Sequence, residues 1–423
     1  MSGPQTLAQK LIARAAGRDA VREGDIVNCR VDLAMFHDSS GPRRLKPMLE
    51  ELGAPIWDRS RVVLVMDHFV PEADDDARRI VRIARDWADE QRLPHVHDSV
   101  GICHVVLPQK GHLRPGMFCV GGDSHSPTGG AFGTYMFGIG STEMLGVVVT
   151  GEIWLQVPRT VRLRWNGRLA DGVCAKDMML HMIARLGMNG GNYQAIEFAG
   201  DTVRALGMAE RMTLSNMSAE LGAQAGLIAP DDTTRAWLRG VGVELDDAAT
   251  AGWHTDEGAT CEDHDFDAAA LVPMVAAPHS PANGHAVTAL AGEALQLAYI
   301  GACTGAKLED LQAAARVLNG RHIAPGMRLL VAPASVHDLD EARRSGVAQV
   351  LEAAGAEFLP SACGACAGYG QAVQGSARVI ATTARNFKGR MGSAQAEVFL
   401  ASPYTVAASA LRGCITDPRE VLA

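Results

Sequence analysis

No apolar run in the 423 residues approaches the roughly 18 needed for a membrane span. There is no basic excess either, since 39 Lys and Arg face 48 Asp and Glu for a net charge of -9. The first absence argues against a membrane protein, and the second removes the electrostatic footprint of a nucleic-acid binder. A targeting leader is also missing from the pattern. Residues 1–17 carry Lys10 and Arg14 without an acid, but they have no apolar signal core and no small-residue cleavage site. Leu7, Leu11 and Ile12 fall on one helical face, so a surface helix is expected there. The nine cysteines are odd in number and scattered. That pattern argues against a secreted disulfide framework and for a reducing, cytoplasmic setting in which some thiols act as ligands. No internal repeat or low-complexity tract is evident.

What is present is ordinary globular composition, 47% apolar and 21% charged with 45 glycines. The length predicts roughly two to four compact units. Short apolar runs end in polar or glycine-rich clusters, with helix-patterned segments between them, which is the grammar of an α/β protein. Val62 to Met66 is a buried-strand candidate ending at Asp67-His68. The next stretch puts Ile80, Ile83, Ala84, Trp87 and Ala88 on one helical face, with Asp74, Asp75 and Asp76 suited to its N-terminus. Similar runs are Met117 to Val120, Tyr299-Ile300 and Arg378 to Ala381, each followed by a chemically loaded loop. A strand over 159–165 and a helix over 175–186 open a different region, while 246–267 reads as acidic, irregular surface. Pro273, Pro278 and Pro281 mark a boundary. The expected division is 1–157, 158–285 and 286–423.

Cys363 and Cys366 form a C-x-x-C, with Cys303 sixty positions earlier in its own glycine-flanked loop. Alone, the pair fits a redox dithiol, half a zinc site, two buried thiols or part of an iron-sulfur site. Three thiolates can hold a four-iron, four-sulfur (4Fe-4S) cluster and leave one iron open to water and substrate. Cys29, Cys103, Cys119, Cys174, Cys261 and Cys414 have no ligand spacing and read as inert. Asp67-His68 and Asp123-Ser124-His125 pair carboxylates with imidazoles, as proton transfer to a departing hydroxyl requires, although each is also an acceptable polar turn. His104 has similar standing. Arg385 and Arg390 flank Asn-Phe-Lys-Gly and form either a carboxylate fork or a solvated basic loop. Asn216 and Glu220 would share a face if that stretch is helical.

Taken together and in order, Met66 to His68, Gly101 to His104, Gly122 to His125, Phe137 to Glu143, Asn216 to Glu220, Cys303-Thr304, Cys363 to Cys366 and Arg385 to Arg390 resemble the aconitase superfamily. The resemblance is to its two-subunit branch of 3-isopropylmalate dehydratases and homoaconitases, and it runs from about residue 6 to 415. It implies three α/β domains around one iron-sulfur cluster site and a hydro-lyase acting on a small hydroxy di- or tricarboxylate. Cys303, Cys363 and Cys366 would ligate the 4Fe-4S cluster, Arg385 and Arg390 would grip substrate carboxylates, and Asp67 with His68 would protonate the leaving hydroxyl. Asp123 with His104, and His125 with Glu220, would be supporting pairs, while Asn216 and Ser124 would be hydrogen-bonding neighbours.

Two family asparagines are absent, replaced by Gly305 and Ala384, which points to altered cluster tuning or substrate orientation. The paired Arg43 and Arg44 after the family-like Asp38 and Pro42 are another departure. No segment resembles the mobile fourth domain that supplies the catalytic base, so a separate small swivel-domain subunit is expected as partner. Alternatives within the class are a homoaconitase, an alkylmalate or a phosphonomethylmalate isomerase subunit. Outside it stand a zinc or redox C-x-x-C protein and a noncatalytic cluster-sensing or RNA-binding protein.

Overall fold

The aliphatic run Val62–Met66 is a strand buried at all five positions, as a parallel sheet covered on both faces requires. The helix after it, Asp75–Gln91, starts where the Asp74 carboxylate accepts the Ala77 amide at 2.7 Å. Its buried stripe is Ala77, Ile80, Val81, Ala84, Trp87 and Ala88, and it stops at Arg92 in the left-handed conformation. Each large apolar side chain so buried contributes about 1.5–3 kcal/mol.

The computed structural model describes residues 3–369 and 373–422. Contacts divide it into two units, each assembled from three stretches of chain. The first comprises Met1–Asp98, Val106–Asn166 and Gly191–Phe266, and the second Ser99–Val105, Gly167–Gly190 and Asp267–Ala423.

The strands of the first unit are β1 (Ile26–Arg30), β2 (Leu33–His37), β3 (Val62–Met66), β4 (His95–Asp98), β5 (Phe118–Gly121), β6 (Tyr135–Gly138), β7 (Glu152–Gln156), β8 (Thr160–Asn166), β9 (Ala195–Ala199), β10 (Ala225–Leu227) and β11 (Glu262–Asp267). Five of them make a parallel sheet in the order β4-β3-β2-β5-β6. The chain builds outward from β2 through β3 to β4, then returns to lay β5 and β6 on the other side. Loops leaving β2 and β5 therefore diverge, and such a switch point is where α/β sheets bind ligands. β1 and β7 pair as an antiparallel ribbon, and β10-β9-β8-β11 form a separate sheet.

In the second unit, β12 (Met274–Ala276), β13 (Gly284–Ala286), β14 (Leu297–Ile300), β15 (Arg328–Val331), β16 (Ala356–Phe358), β17 (Arg378–Ala381) and β18 (Glu397–Ala401) form one sheet, ordered β13-β12-β18-β17-β14-β15-β16. β14 to β18 are parallel, and β12 and β13 add an antiparallel edge. The parallel part repeats the connectivity of the first unit, with its switch point between β14 and β17. Sequence inspection showed no repeat, because two sheets can share strand order without sharing residues.

Other expectations shift on contact with the structure. The N-terminal helix, Leu7–Ala15, is more than a surface helix, with six of nine residues buried behind a Thr6 capping box. The stretch expected to be irregular ends in β11, and the helix Met208–Met217 stops before Glu220. The helix Ala175–Leu186 and strand β12 fall within 158–285, and β13 straddles its end, yet all three belong to the second unit.

Candidate functional site

In the first unit the strand ends at the switch point bring five titratable side chains together. β2 delivers His37 and Asp38, β3 delivers Asp67 and His68, and the loop after β5 delivers Asp123. The Asp67 carboxylate meets His68 Nδ1 at 2.6 Å. Asp67 is fully buried, and only 11% of the His68 side chain is exposed. Burial opposes a charged imidazole, but the charge and hydrogen bond of Asp67, then Asp123 and Asp38, outweigh it and lift His68 to about 9. Asp38 is fully buried and caps the turn by accepting the amides of His68 at 3.1 Å and Phe69 at 2.7 Å. Its carboxyl is raised by burial and by the charge of Asp67.

His37 stacks on His68 with ring centres 3.8 Å apart. Its Nδ1 accepts the amides of Ser39 and Ser40 at 3.2 and 3.3 Å, which assigns its proton to Nε2, 3.6 Å from Asp123 Oδ2. On the far side of Asp123, His125 donates its backbone amide to Oδ1 at 2.8 Å, and its Nε2 meets Glu220 Oε1 at 3.0 Å. A polar chain thus runs from Glu220 through His125, Asp123 and His37 to the stacked His68 and its carboxylates. Glycine makes the approach possible. A Cβ on Gly130 would lie 1.9 Å from the Gly226 carbonyl oxygen, so the buried turn Ser126–Phe132 seats against β10 only without a side chain there. Asn216 donates to Thr128 Oγ1 at 2.8 Å in that turn. Ser124 is exposed beside it.

The remaining predicted residues lie in the second unit. His104 is buried at the start of the helix Cys103–Gln109. Cys303 follows β14, Cys363 precedes and Cys366 lies within the short helix Gly364–Ala367 after β16, and Arg385 and Arg390 occupy the loop after β17. Cys303 and Cys366 are buried and Cys363 half-buried. The charges of all three thiols reach one group, the phenol of Tyr299, whose titration burial and those thiols push well up. The Tyr299 hydroxyl is buried and has no hydrogen-bond partner among the described residues. Arg390 Nη2 donates to Cys366 Sγ at 3.4 Å. Three soft donors at loop ends, with a phenol and a guanidinium behind them, fit an iron-sulfur group. The intervening Asn386 is structural, since its amide donates to the carbonyls of Ala277 and Val398 at 2.9 Å each.

Sequence reading assigned no role to His37, Lys176 or Tyr299, and noted Asp38 only as family-like. Lys176 is 1% exposed and donates to Thr304 Oγ1 at 3.3 Å and to the carbonyls of Thr382 and Thr383 at 3.0 and 2.7 Å. It ties the loop after β14 to the loop after β17. A buried lysine in the first turn of an apolar helix was the available signal.

The family model described as the aconitase family (aconitate hydratase) matches residues 9–293 and 287–413. The chain is 43% identical over 429 residues to the 3-isopropylmalate dehydratase large subunit 1 of Methanopyrus kandleri, covering 99% of this chain and 100% of that one. It is 38% identical to the probable methanogen homoaconitase large subunit of Methanothermobacter thermautotrophicus, covering 98% and 97%. Among solved structures, the aconitase X of Thermococcus kodakaraensis superposes with a TM-score of 0.50 over 85% of this chain and 84% of that one, at 11% identity, a likeness of fold. The chain belongs to the aconitase family.

Proposed function

We propose that this chain is the large subunit of a two-subunit, iron-sulfur-dependent hydro-lyase acting on a small hydroxy di- or tricarboxylic acid, with 3-isopropylmalate as first substrate. The observation that carries the reading is the 43% identity, end to end, to a 3-isopropylmalate dehydratase large subunit. The 38% identity to a probable homoaconitase large subunit keeps a longer tricarboxylate as the second reading.

Dehydration breaks a C–O bond and a C–H bond on adjacent carbons. The C–H electron pair becomes the double bond, a base keeps that proton, and the hydroxyl leaves as water after receiving another. His68, charged up to about 9, is the donor of the second proton through Nε2, with Asp67 orienting the ring from Nδ1. The His125–Glu220 pair and Asp123 with His104 support it, and Asn216 and Ser124 hydrogen-bond around the substrate. Cys303, Cys363 and Cys366 would hold a 4Fe-4S cluster, which would supply Lewis-acid chemistry toward the departing hydroxyl. Arg385 and Arg390 grip carboxylates. The base belongs to the small subunit, and the setting is cytoplasmic. The division 1–157, 158–285 and 286–423 also stands as a proposal, since β2 to β6 lie in the first stretch, β8 to β11 in the second and β14 to β18 in the third.

The test is anaerobic purification of this chain alone and with a small-subunit partner. Alone it is expected to be inactive toward every candidate acid, and the complex should dehydrate the physiological one. Robust dehydration of 3-isopropylmalate by the isolated chain would move the base into these residues. Recognition is checked by Arg390→Lys, which keeps the charge and loses the fork. KM should rise roughly tenfold or more, the equivalent of about one charged hydrogen bond. An unchanged KM would leave Arg390 serving the Cys366 sulfur alone.

A further inference from the structure

We infer that the Tyr299 hydroxyl donates a hydrogen bond to a sulfur of the cluster that Cys303, Cys363 and Cys366 would hold. This rests on the proposed cluster reading and adds a residue to it. Tyr299 is fully buried in β14, and its hydroxyl has no partner among the described residues. A buried hydroxyl left without a partner is destabilising, so an acceptor is needed. The local chain is shaped around the phenol. A Cβ on Gly301 would lie 2.2 Å from Tyr299 Cζ and 2.3 Å from the hydroxyl, so the backbone passes directly over the ring on its way to Cys303. Thr382 fixes that crossing, its Oγ1 accepting from the Gly301 amide and donating to the Gly301 carbonyl, both at 2.8 Å. Burial first, then the charges of Cys366, Cys363 and Cys303, hold the phenol well above its ordinary range.

No side chain, an amide included, fits at position 305 as the chain is folded. A Cβ there would fall 2.2 Å from Thr382 Cβ, in the space taken by the side chain that clamps Gly301. Ala384 is buried and offers no side-chain donor. The inferred phenol donor would act beside Arg390, whose Nη2 already donates to Cys366 Sγ at 3.4 Å. A hydrogen bond to thiolate or sulfide stabilises the extra negative charge of the reduced cluster and raises its potential.

The experiment compares the wild-type complex with Tyr299→Phe, which removes one oxygen. In a redox titration followed by electron paramagnetic resonance, the reduced-to-oxidised ratio at fixed potential is expected to fall about tenfold in the variant, 59 mV for a one-electron couple. Iron and sulfide content should stay equal. Iron-sulfur stretching bands of the wild type should also shift on exchange into deuterium oxide, and shift less in Tyr299→Phe. Equal potentials and equal isotope shifts overturn the inference and leave the cluster reading standing. A wild-type complex without iron and sulfide overturns the cluster reading itself. If the variant does not accumulate, the wild-type isotope experiment decides, and the absence of any shift overturns the inference.

Discussion

Replacing Asp67 with asparagine, or His68 with alanine, is expected to lower turnover of the assembled enzyme by roughly 10²- to 10⁴-fold, the range for loss of a positioned proton donor. Iron and sulfide content should stay at the wild-type level, because neither residue is among the cysteine ligands. The pH profile separates this from a structural defect. Burial alone would depress His68, and it is chiefly Asp67 that carries the ring from 6.5 up to about 9. The donor form therefore persists through neutrality and is lost as pH climbs past about 9. Asp67→Asn removes the largest raising influence, so the alkaline limb of the residual activity should move to lower pH. Stability follows the same linkage: a raised imidazole contributes fully below 6.5, and its contribution disappears as pH rises through about 9. Near-normal turnover in both variants would remove the pair from the mechanism.

Cys303→Ala is expected to abolish both colour and activity. Loss of one of three thiolates leaves Cys363 and Cys366 as a two-sulfur remnant that a cubane cluster does not occupy stably. The measurement is visible charge-transfer absorption with iron and sulfide analysis on anaerobically purified protein. A variant as brown as the wild type would take Cys303 out of the ligand set. A colourless zinc protein from the wild-type chain would overturn the cluster assignment and favour the C-x-x-C alternative.

The elements most legible in the sequence were those with a single strong pattern. Val62–Met66 and Arg378–Ala381 read as apolar runs, and Ala175–Leu186 reads as one helix, at the bounds the structure gives them. The clustering of chemistry at strand ends was legible too, because polar pairs follow apolar runs directly. His37 was not, since it closes a strand buried at every position and looks like part of an apolar run. Glu220 reaches His125 across 95 residues, and Lys176 reaches Thr304 and Thr383 across 128 and 207, distances that no local pattern encodes. The partition into two units was equally hidden. Nothing in composition marks Ser99–Val105 as belonging with a sheet that starts at Met274.

That interleaving has a consequence for how the chain is made. During synthesis from the amino terminus, the helix Ala175–Leu186 emerges with eight of its twelve residues destined for burial. It packs against β12, β13 and β18, the last of which begins at Glu397. More than half the chain must therefore leave the ribosome before that helix is covered, and the second unit cannot complete its sheet until translation is nearly finished. Such non-local pairing is slow and leaves apolar surface open to self-association. Recombinant yield should thus depend on slowed translation and chaperone supply more than on the thermal stability of the finished protein.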